Sequence, residues 1–189
     1  MNRFGSNRLP GSLARSRGFT LQEMLVSLCI SGTLAGGGAG MWNVVQQEAV
    51  TATANDLVTH LALARNEAIM KNKDIVLCPT ENQRSCSRPG SDFTAWHTGW
   101  LVYADQNDNG QPDPGEILRV QNGATRGIHI HSSRARGRVA YQPMGTAGGS
   151  TITLAVCSER NPSLARYVVV SNSGRARVAQ TTTSNVKCG

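Results

Sequence analysis

An apolar run near the N-terminus constrains the fold of this chain more than any other feature. From Leu21 to Trp42 the only charged residue is Glu23. At about 1.5 Å per residue, these 22 residues would form a helix of roughly 33 Å, enough to cross a bilayer. Residues 1–18 hold four arginines and no acid, and such a basic flank is expected to stay cytoplasmic. The sequence therefore predicts a single membrane span followed by an exported domain.

A cleavable secretory signal peptide is the main alternative to this anchor. The run exceeds the roughly 7–15 apolar residues of a signal peptide, and no small-x-small cleavage site closes it cleanly. An acid inside such a run costs about 2.5–3.5 kcal/mol on insertion into a membrane. The presence of Glu23 therefore indicates a function for its carboxylate.

The residues at the start of the run resemble a prepilin peptidase site. Residues 17–23 read RGFTLQE, which is similar to the processing site of type IV pilins and type II secretion pseudopilins. The resemblance implies cleavage by prepilin peptidase after Gly18 and N-methylation of Phe19. It also implies that Glu23 pairs with the N-terminal amine of a neighbouring subunit during assembly. A buried carboxylate is tolerable when an ammonium group meets it.

Several glycines interrupt the same run. They are Gly32, Gly36, Gly37, Gly38 and Gly40. Each costs about 0.8–1.0 kcal/mol in a helix interior. The four-residue spacing of Gly32, Gly36 and Gly40 suits close packing between helices. The three consecutive glycines at 36–38 instead favour local melting of the helix inside a filament. The sequence leaves both alternatives open and slightly favours melting.

The rest of the chain predicts an α+β fold. Apolar residues recur at helical spacing from Val50 to Ala68, so the helix is expected to continue to about Asn72. Beyond it, short β-branched runs alternate with turn residues. Strands are predicted at 74–78, 99–105, 116–121, 128–133, 139–142, 151–157, 166–171 and 175–179. Because the links are short, the strands should pair antiparallel, and the long N-terminal helix should pack on these antiparallel β-sheets.

Four segments resemble the GspH/FimT family of type IV pilin-like proteins. They are LARNEAI at 63–69, IVLCP at 75–79, GWLVY at 99–103 and the stretch from Asp105 to Glu116. That family comprises H-type minor pseudopilins of type II secretion and FimT-type minor pilins. The resemblance implies a leader at 1–18, a transmembrane half-helix at 19–42, an amphipathic half-helix at 43–72 and a periplasmic or extracellular β-rich domain at 73–189. The implied partners are the inner membrane, prepilin peptidase and other pilins in a filament.

The cysteines predict two disulfides. Cys29 lies in the apolar run and is expected to be inert. The other four would face an oxidising compartment, where three connectivities are available to them. We favour Cys78 with Cys86, beside the first strand, and Cys157 with Cys188, which ties the tail to a later strand. No CxxC pair occurs, which argues against zinc or thioredoxin chemistry.

Residues 105–116 match the calcium-loop pattern D-x-[DN]-x-[DN]-G-x5-E. Calcium would be bound by the side chains of Asp105, Asn107 and Asn109, the carbonyl of Gln111 and the carboxylate of Glu116. The alternative is a hairpin loop whose Asn and Gly residues supply turn geometry. The hairpin is favoured, because the calcium pattern normally lies between two helices. Apart from calcium at this loop, no cofactor is expected.

Charge divides the chain into two unlike parts. Residues 19–118 hold five bases and eleven acids, whereas residues 119–189 hold ten bases and one acid. In the basic part, GRAR at 174–177 resembles the GRxR motif that FimT-type minor pilins use to bind DNA during natural transformation. The resemblance implies DNA contacts from Gly174, Arg175 and Arg177. Further candidates nearby are Arg134, Arg136, Arg138 and Lys187.

The mode of DNA binding follows from the residue types. Alternate strand positions project from one face, so Arg175 and Arg177 should stand side by side. Only two aromatic residues, Tyr141 and Tyr167, occur in the basic part, so base stacking is not expected. Contacts to double-stranded DNA should therefore be made to phosphates, without sequence preference. The alternative is a solvated basic face with no ligand.

An enzyme is the least expected class. The histidines at 60, 97, 129 and 131 form no HExxH motif, and no GxSxG motif occurs. The main hypothesis is a minor type IV pilin that captures DNA. The alternative is a minor pseudopilin of type II secretion that binds none. Either would lie in the bacterial inner membrane with a cytoplasmic N-terminus before assembly, and its globular domain would be periplasmic.

Overall fold

The structure is a computed structural model, and it describes residues 18–88, 96–132, 136–181, 186 and 188. The leader residues 1–17 and two candidate DNA contacts, Arg134 and Lys187, lie outside the described residues. The chain divides into two compact units, Met1–Met41 and Trp42–Gly189.

One long helix, α1, spans Leu21–Lys71. Its start is a capping box: the Thr20 hydroxyl accepts from the Glu23 amide at 3.3 Å, and the Thr20 amide donates to the Glu23 carboxylate at 3.2 Å. Its end is marked by Asn72, whose φ of 51° is the left-handed conformation common just after a helix. The predicted helix is therefore confirmed, with an end one residue earlier than expected.

The first turns of α1 expose their apolar side chains. Leu21 and Leu28 are exposed by 81% and 68%, and every side chain of residues 21–33 is exposed. Across the described part of the chain, no helix combines the length and the apolar character needed to span a membrane.

Eight strands and one 3-10 turn follow the helix. They are β1 Ile75–Pro79, η1 Trp96–Thr98, β2 Gly99–Ala104, β3 Ile117–Asn122, β4 Ile128–Ser132, β5 Val139–Tyr141, β6 Ile152–Ser158, β7 Ala165–Val170 and β8 Ala176–Ala179. They form two antiparallel sheets, with strand order β3-β2-β1-β5 in the first and β4-β6-β7-β8 in the second. Each predicted strand is present, and no bound differs by more than one residue.

The second half of α1 packs against the inner faces of both sheets. Its stripe of Val50, Leu57 and Leu61 is fully buried in one core with Trp100 of β2 and Leu154 of β6. Burial of each such aliphatic side chain contributes about 1.5–3 kcal/mol. The α+β prediction, a long helix packed on antiparallel sheets, is therefore confirmed.

Each sheet also has a small apolar cluster on its outer face, and each cluster contains one disulfide. Cys78 of β1 pairs with Cys86, and Cys157 of β6 pairs with Cys188. These are the two pairs that the sequence analysis favoured. Cys29 is a free thiol and is exposed in the isolated chain.

Candidate functional site

The described part of the processing motif, from Gly18 to Glu23, spans the start of α1 and is exposed. Phe19 is 77% exposed, and among the described residues no atom beyond the chain neighbours comes within 4 Å of the place where a side chain would begin at Gly18. The Glu23 carboxylate accepts from the Thr20 amide and hydroxyl, both at 3.2 Å. The carboxylate is exposed, so a charged group from another molecule can reach it. The capping box gives Glu23 a local role that sequence analysis did not identify.

Hydroxyl side chains in this part of α1 are bonded to the helix itself. Ser27 donates to the carbonyl of Glu23 at 2.7 Å, and Ser31 donates to that of Ser27 at 2.7 Å. Thr33 donates to the carbonyl of Ile30 at 2.9 Å. Because these donors are satisfied within the helix, they do not need water as a partner.

The two arginines of the GRAR segment lie at the edge of the second sheet. Arg177 is on β8 opposite Val169, and Arg175 directly precedes the strand. Ala176, between them, packs against the main core. Because strand side chains alternate, both arginines project from the outer face, and both are exposed.

No acid in the described part of the chain pairs with either of these guanidinium groups. The ion pairs among the described residues include Lys71–Glu67 and His129–Glu159, and neither involves Arg175 or Arg177. The structure therefore presents two adjacent cationic side chains on an edge strand, where an extended anion such as a phosphate backbone has access.

The structure explains why glycine occupies position 174. It is buried with a φ of 77°, and a Cβ there would overlap the carbonyl oxygen of Gly145. That same carbonyl accepts from Arg65 of α1 at 2.9 Å, and Ala147 donates to the carbonyl of Asn172 at 3.0 Å. Contacts from α1 through the 145–147 loop thus hold the β7–β8 turn, which positions the arginine pair.

The other described candidate arginines, Arg136 and Arg138, directly precede β5, which is the edge strand of the first sheet. Arg136 donates to the carbonyl of Gly149, and Arg138 donates to that of Gly110 at 3.2 Å. Together with Arg88 they line an open cavity of about 450 Å³. The structure therefore places them on a different sheet from Arg175 and Arg177, with one guanidinium N–H of each already bonded to the loops.

The predicted calcium loop joins β2 to β3 as a hairpin. Its first and last ligand candidates, Asp105 and Glu116, are only 8% and 6% exposed. The Gly110 amide donates to Asp105 Oδ2 at 3.0 Å. The amides of Gln106 and Asp113 donate to the two carboxylate oxygens of Glu116 at 2.9 and 3.0 Å.

The amide side chains of the loop face one acid. Asn107 and Asn109 each donate from Nδ2 to Asp113 Oδ2 at 2.8 Å. Their Oδ1 atoms accept from the amides of Asn109 and Gln111 at 3.2 and 2.7 Å. No group of three or more His, Cys, Asp or Glu side chains in the described ranges could hold a metal ion. Any cation site here therefore depends on amide and carbonyl oxygens as well as carboxylates.

Repulsion among acids is evident around this loop. Burial raises the pKa of Asp74, and the charges of Asp108 and Asp105 raise it further. Burial, with a smaller contribution from Asp105, raises the pKa of Tyr103 to about 12. Asp105 and Asp108 of the hairpin thus repel Asp74, and Lys73 partly offsets that repulsion.

A histidine trio occupies the outer face of the second sheet. His129 and His131 share a face of β4, because alternate strand positions project to the same side, and His97 of η1 joins them. The ring centroids of His97 and His129 are 4.9 Å apart, and those of His129 and His131 are 6.1 Å apart. Burial lowers the pKa of His97 and of His131, and the neighbouring imidazoles lower it further.

Comparison with known proteins supports a pilin-like assignment. Residues 53–174 match the family model described as type II transport protein GspH. The chain is 32% identical over 173 residues to the pilin-like protein PilA1 of Thermus thermophilus, which covers 86% of this chain and 97% of that protein.

The fold is also similar to that of solved structures. The type IV minor pilin FimU of Pseudomonas aeruginosa superimposes with a TM-score of 0.57 at 17% identity, over 74% of this chain and 95% of FimU. A second crystal form of FimU gives a TM-score of 0.55 at 18% identity, over 74% of this chain and 99% of that one. At such identities the likeness establishes the fold alone. The family match and the relative together show that this chain belongs to the GspH family of type IV pilin-like minor pilins and pseudopilins.

Proposed function

We propose that this protein is a minor type IV pilin that binds double-stranded DNA through Arg175 and Arg177 for uptake. The observation that carries the proposal is the pair of exposed arginines, unpaired with described acids, on the outer face of β8. Arginine presents a planar fork of donors that suits phosphate oxygens. Because the pair contacts phosphates and not bases, binding should be independent of sequence and should weaken with salt.

The rigidity of the turn before β8 supports this role. Gly174 packs against the carbonyl of Gly145, and the Ser171 amide donates to the carbonyl of Arg175 at 3.1 Å. These contacts fix the backbone that carries the arginines. A ligand then meets an already ordered strand, so binding needs little further ordering of the chain.

We infer that the N-terminal segment directs processing and assembly. Cleavage by prepilin peptidase after Gly18 and methylation of Phe19 would leave Glu23 at the fifth mature position. The accessible motif, the apolar exposed side chains of residues 21–33 and the internally bonded hydroxyls support a helix covered by the inner membrane and then by other pilins. Glu23 would exchange its capping contact for the ammonium group of a neighbouring subunit.

A binding assay on residues 43–189 tests the DNA proposal. This segment lies within the compact unit Trp42–Gly189 and includes the main core. Fluorescence anisotropy with random duplex DNA at low salt should give saturable binding. Arg175→Ala with Arg177→Ala should weaken the affinity on the order of tenfold or more, because two phosphate contacts are lost.

A charge-matched variant controls for the loss of two positive charges. Arg119 on β3 and Arg126 before β4 are exposed and lie away from β8. Arg119→Ala with Arg126→Ala should leave most of the affinity intact. Equal losses in the two double variants would reject a site on β8, although not a diffuse electrostatic attraction.

The second candidate function is a minor pseudopilin of type II secretion. The observation that favours it is the match of residues 53–174 to the type II transport protein model. Such a subunit would contact other pseudopilins and would bind no DNA. Absence of binding by the wild-type segment at low salt would favour this candidate over the DNA-binding pilin.

A further inference from the structure

We propose that the β2–β3 loop binds Ca²⁺ and that Asp113 belongs to the site. The ligand set is Asp105, Asn107, Asn109, the main-chain carbonyl of Gln111, Asp113 and Glu116. Asp113 is the ninth residue of this twelve-residue loop, a position that contributes an oxygen in EF-hands, often through water. The proposal is independent of DNA binding, because none of these residues lies on β8.

The backbone of the loop has the turns that an EF-hand requires. Gly110, at the sixth position, has a φ of 71°, where EF-hand loops use Gly for a sharp turn. Asp108, at the fourth position, has a φ of 57°, a left-handed conformation that costs an L-residue about 1–2 kcal/mol. The Gly110 amide donates to Asp105 Oδ2 at 3.0 Å, which draws the first carboxylate into the loop.

The second, independent observation is an unsatisfied oxygen on that carboxylate. Asp105 is only 8% exposed, so it is more than nine-tenths buried, and its Oδ1 has no hydrogen-bond partner among the described atoms. A buried acceptor without a partner costs about 1–3 kcal/mol, and more when it is charged. Because Oδ2 accepts from the Gly110 amide across the turn, the carboxylate group that carries Oδ1 is drawn toward the loop. A cation coordinated there would satisfy it.

The remaining ligands keep acceptor capacity. Each carboxylate oxygen of Glu116 accepts one main-chain amide and retains a second lone pair for bidentate coordination. Asn107 and Asn109 each accept one amide at Oδ1 and likewise keep one lone pair. Their Nδ2 contacts to Asp113 Oδ2 at 2.8 Å bring the ninth position against the third and fifth.

The electrostatic surroundings favour a divalent cation with oxygen ligands. Two further acids lie beside the ligands: Asp108 is within the loop, and the Asp105 amide donates to the carbonyl of Asp74 at 3.0 Å. Two bases oppose these acids: Lys73 acts on Asp74, and Arg138 donates at 3.2 Å to the carbonyl of Gly110, a position that is not a calcium ligand in EF-hands. An all-oxygen set suits Ca²⁺ and not Zn²⁺, which prefers nitrogen and sulfur.

Titration of the full-length chain in detergent micelles with CaCl2 tests the proposal. With two direct carboxylate ligands, Asp105 and Glu116, a third carboxylate at Asp113 that acts through water, and two amides, we expect a Kd of about 10⁻⁴–10⁻³ M, the range of extracellular calcium modules. Thermal unfolding should shift upward as CaCl2 is added, and EGTA should reverse the shift. MgCl2 should give a smaller shift, because Mg²⁺ demands near-octahedral geometry and dehydrates reluctantly.

Variants separate a calcium site from general charge effects. Asp105→Asn and Glu116→Gln should each weaken the calcium response on the order of tenfold or more, because each removes a charged ligand. Asp108→Asn is the matched control: it removes the same charge from a non-ligand position, and Asn tolerates a positive φ. Its calcium response should stay close to that of the wild type.

Two outcomes would overturn the proposal. The first is the absence of any EGTA-reversible shift in the wild type up to about 10 mM CaCl2, well above the expected Kd. The second is a response that Asp105→Asn and Glu116→Gln retain in full. Should either variant fail to fold, the wild-type titration and its EGTA reversal still decide between a calcium site and a simple hairpin.

Discussion

The two sheets share one architecture but differ in the charged groups at two places on their periphery. Each has four antiparallel strands, an inner face against α1, an outer apolar cluster and one disulfide. The first sheet gathers carboxylates in its β2–β3 hairpin, whereas the second exposes arginines at β8. The strands, apolar clusters and disulfides that the sheets share stabilise the fold. The charged groups that differ lie at positions where the core does not require a particular side chain. Function is therefore to be sought in the hairpin and at the β8 edge.

A large loss of stability is expected from substitution of Gly174, which anchors the β8 turn. Alanine there would combine a φ of 77° with overlap onto the Gly145 carbonyl, so unfolding should become easier by about 3 kcal/mol. Gly149 has the same φ with open space around it, so Gly149→Ala should cost only about 1 kcal/mol. Urea denaturation of residues 43–189 compares the two. Similar losses in both variants would contradict the steric explanation.

The disulfides should stabilise the two sheets unequally. Cys78–Cys86 spans a sequence separation of 8 and Cys157–Cys188 one of 31. In the chain-entropy model these loops correspond to about 2.5 and about 3.7 kcal/mol. Replacing each pair by alanine and measuring urea denaturation should reproduce this order. A greater loss from the Cys78–Cys86 replacement would show that strain or residual structure outweighs loop length.

The smallest effect concerns acidification of the second sheet. The pKa of His97 and of His131 is lowered in the folded protein, so the unfolded chain binds their protons more readily. The folded state keeps its full stability above the ordinary histidine pKa of about 6.5, and it loses stability as pH falls through the lowered pKa values of His97 and His131. Stability should therefore decrease between about pH 7 and pH 5. His131→Gln should flatten this dependence, and an unchanged pH profile would argue against the trio as its source.

Sequence patterns among neighbouring residues predicted the positions of the strands, but they did not predict which distant residues come into contact. The eight strands follow from β-branched runs and turn residues, which act over a few neighbours. The assignment of each strand to one of the two sheets was not predicted, because strand order depends on contacts between distant residues. For the same reason His97 was not grouped with His129, and Arg136 was grouped with Arg175 although they lie on different sheets.

The role of Gly174 shows the limit of reading a motif from sequence alone. Its position in GRAR suggested a DNA contact, but its burial and its φ already require Gly there. The requirement comes from the Gly145 loop, far away in the chain. By contrast, the exposure of Arg175 and Arg177 on one face could be anticipated, because strand alternation is a local property.

The salt dependence of DNA binding tests the central assignment of function to the β8 edge most directly. For residues 43–189, the slope of log K against log salt reports the number of neutralised phosphates, at about 0.9 per contact. Loss of Arg175 and Arg177 should reduce the slope by about 1.8, whereas loss of Arg119 and Arg126 should leave it unchanged. An identical slope in the wild type and in the Arg175→Ala, Arg177→Ala variant would contradict the account.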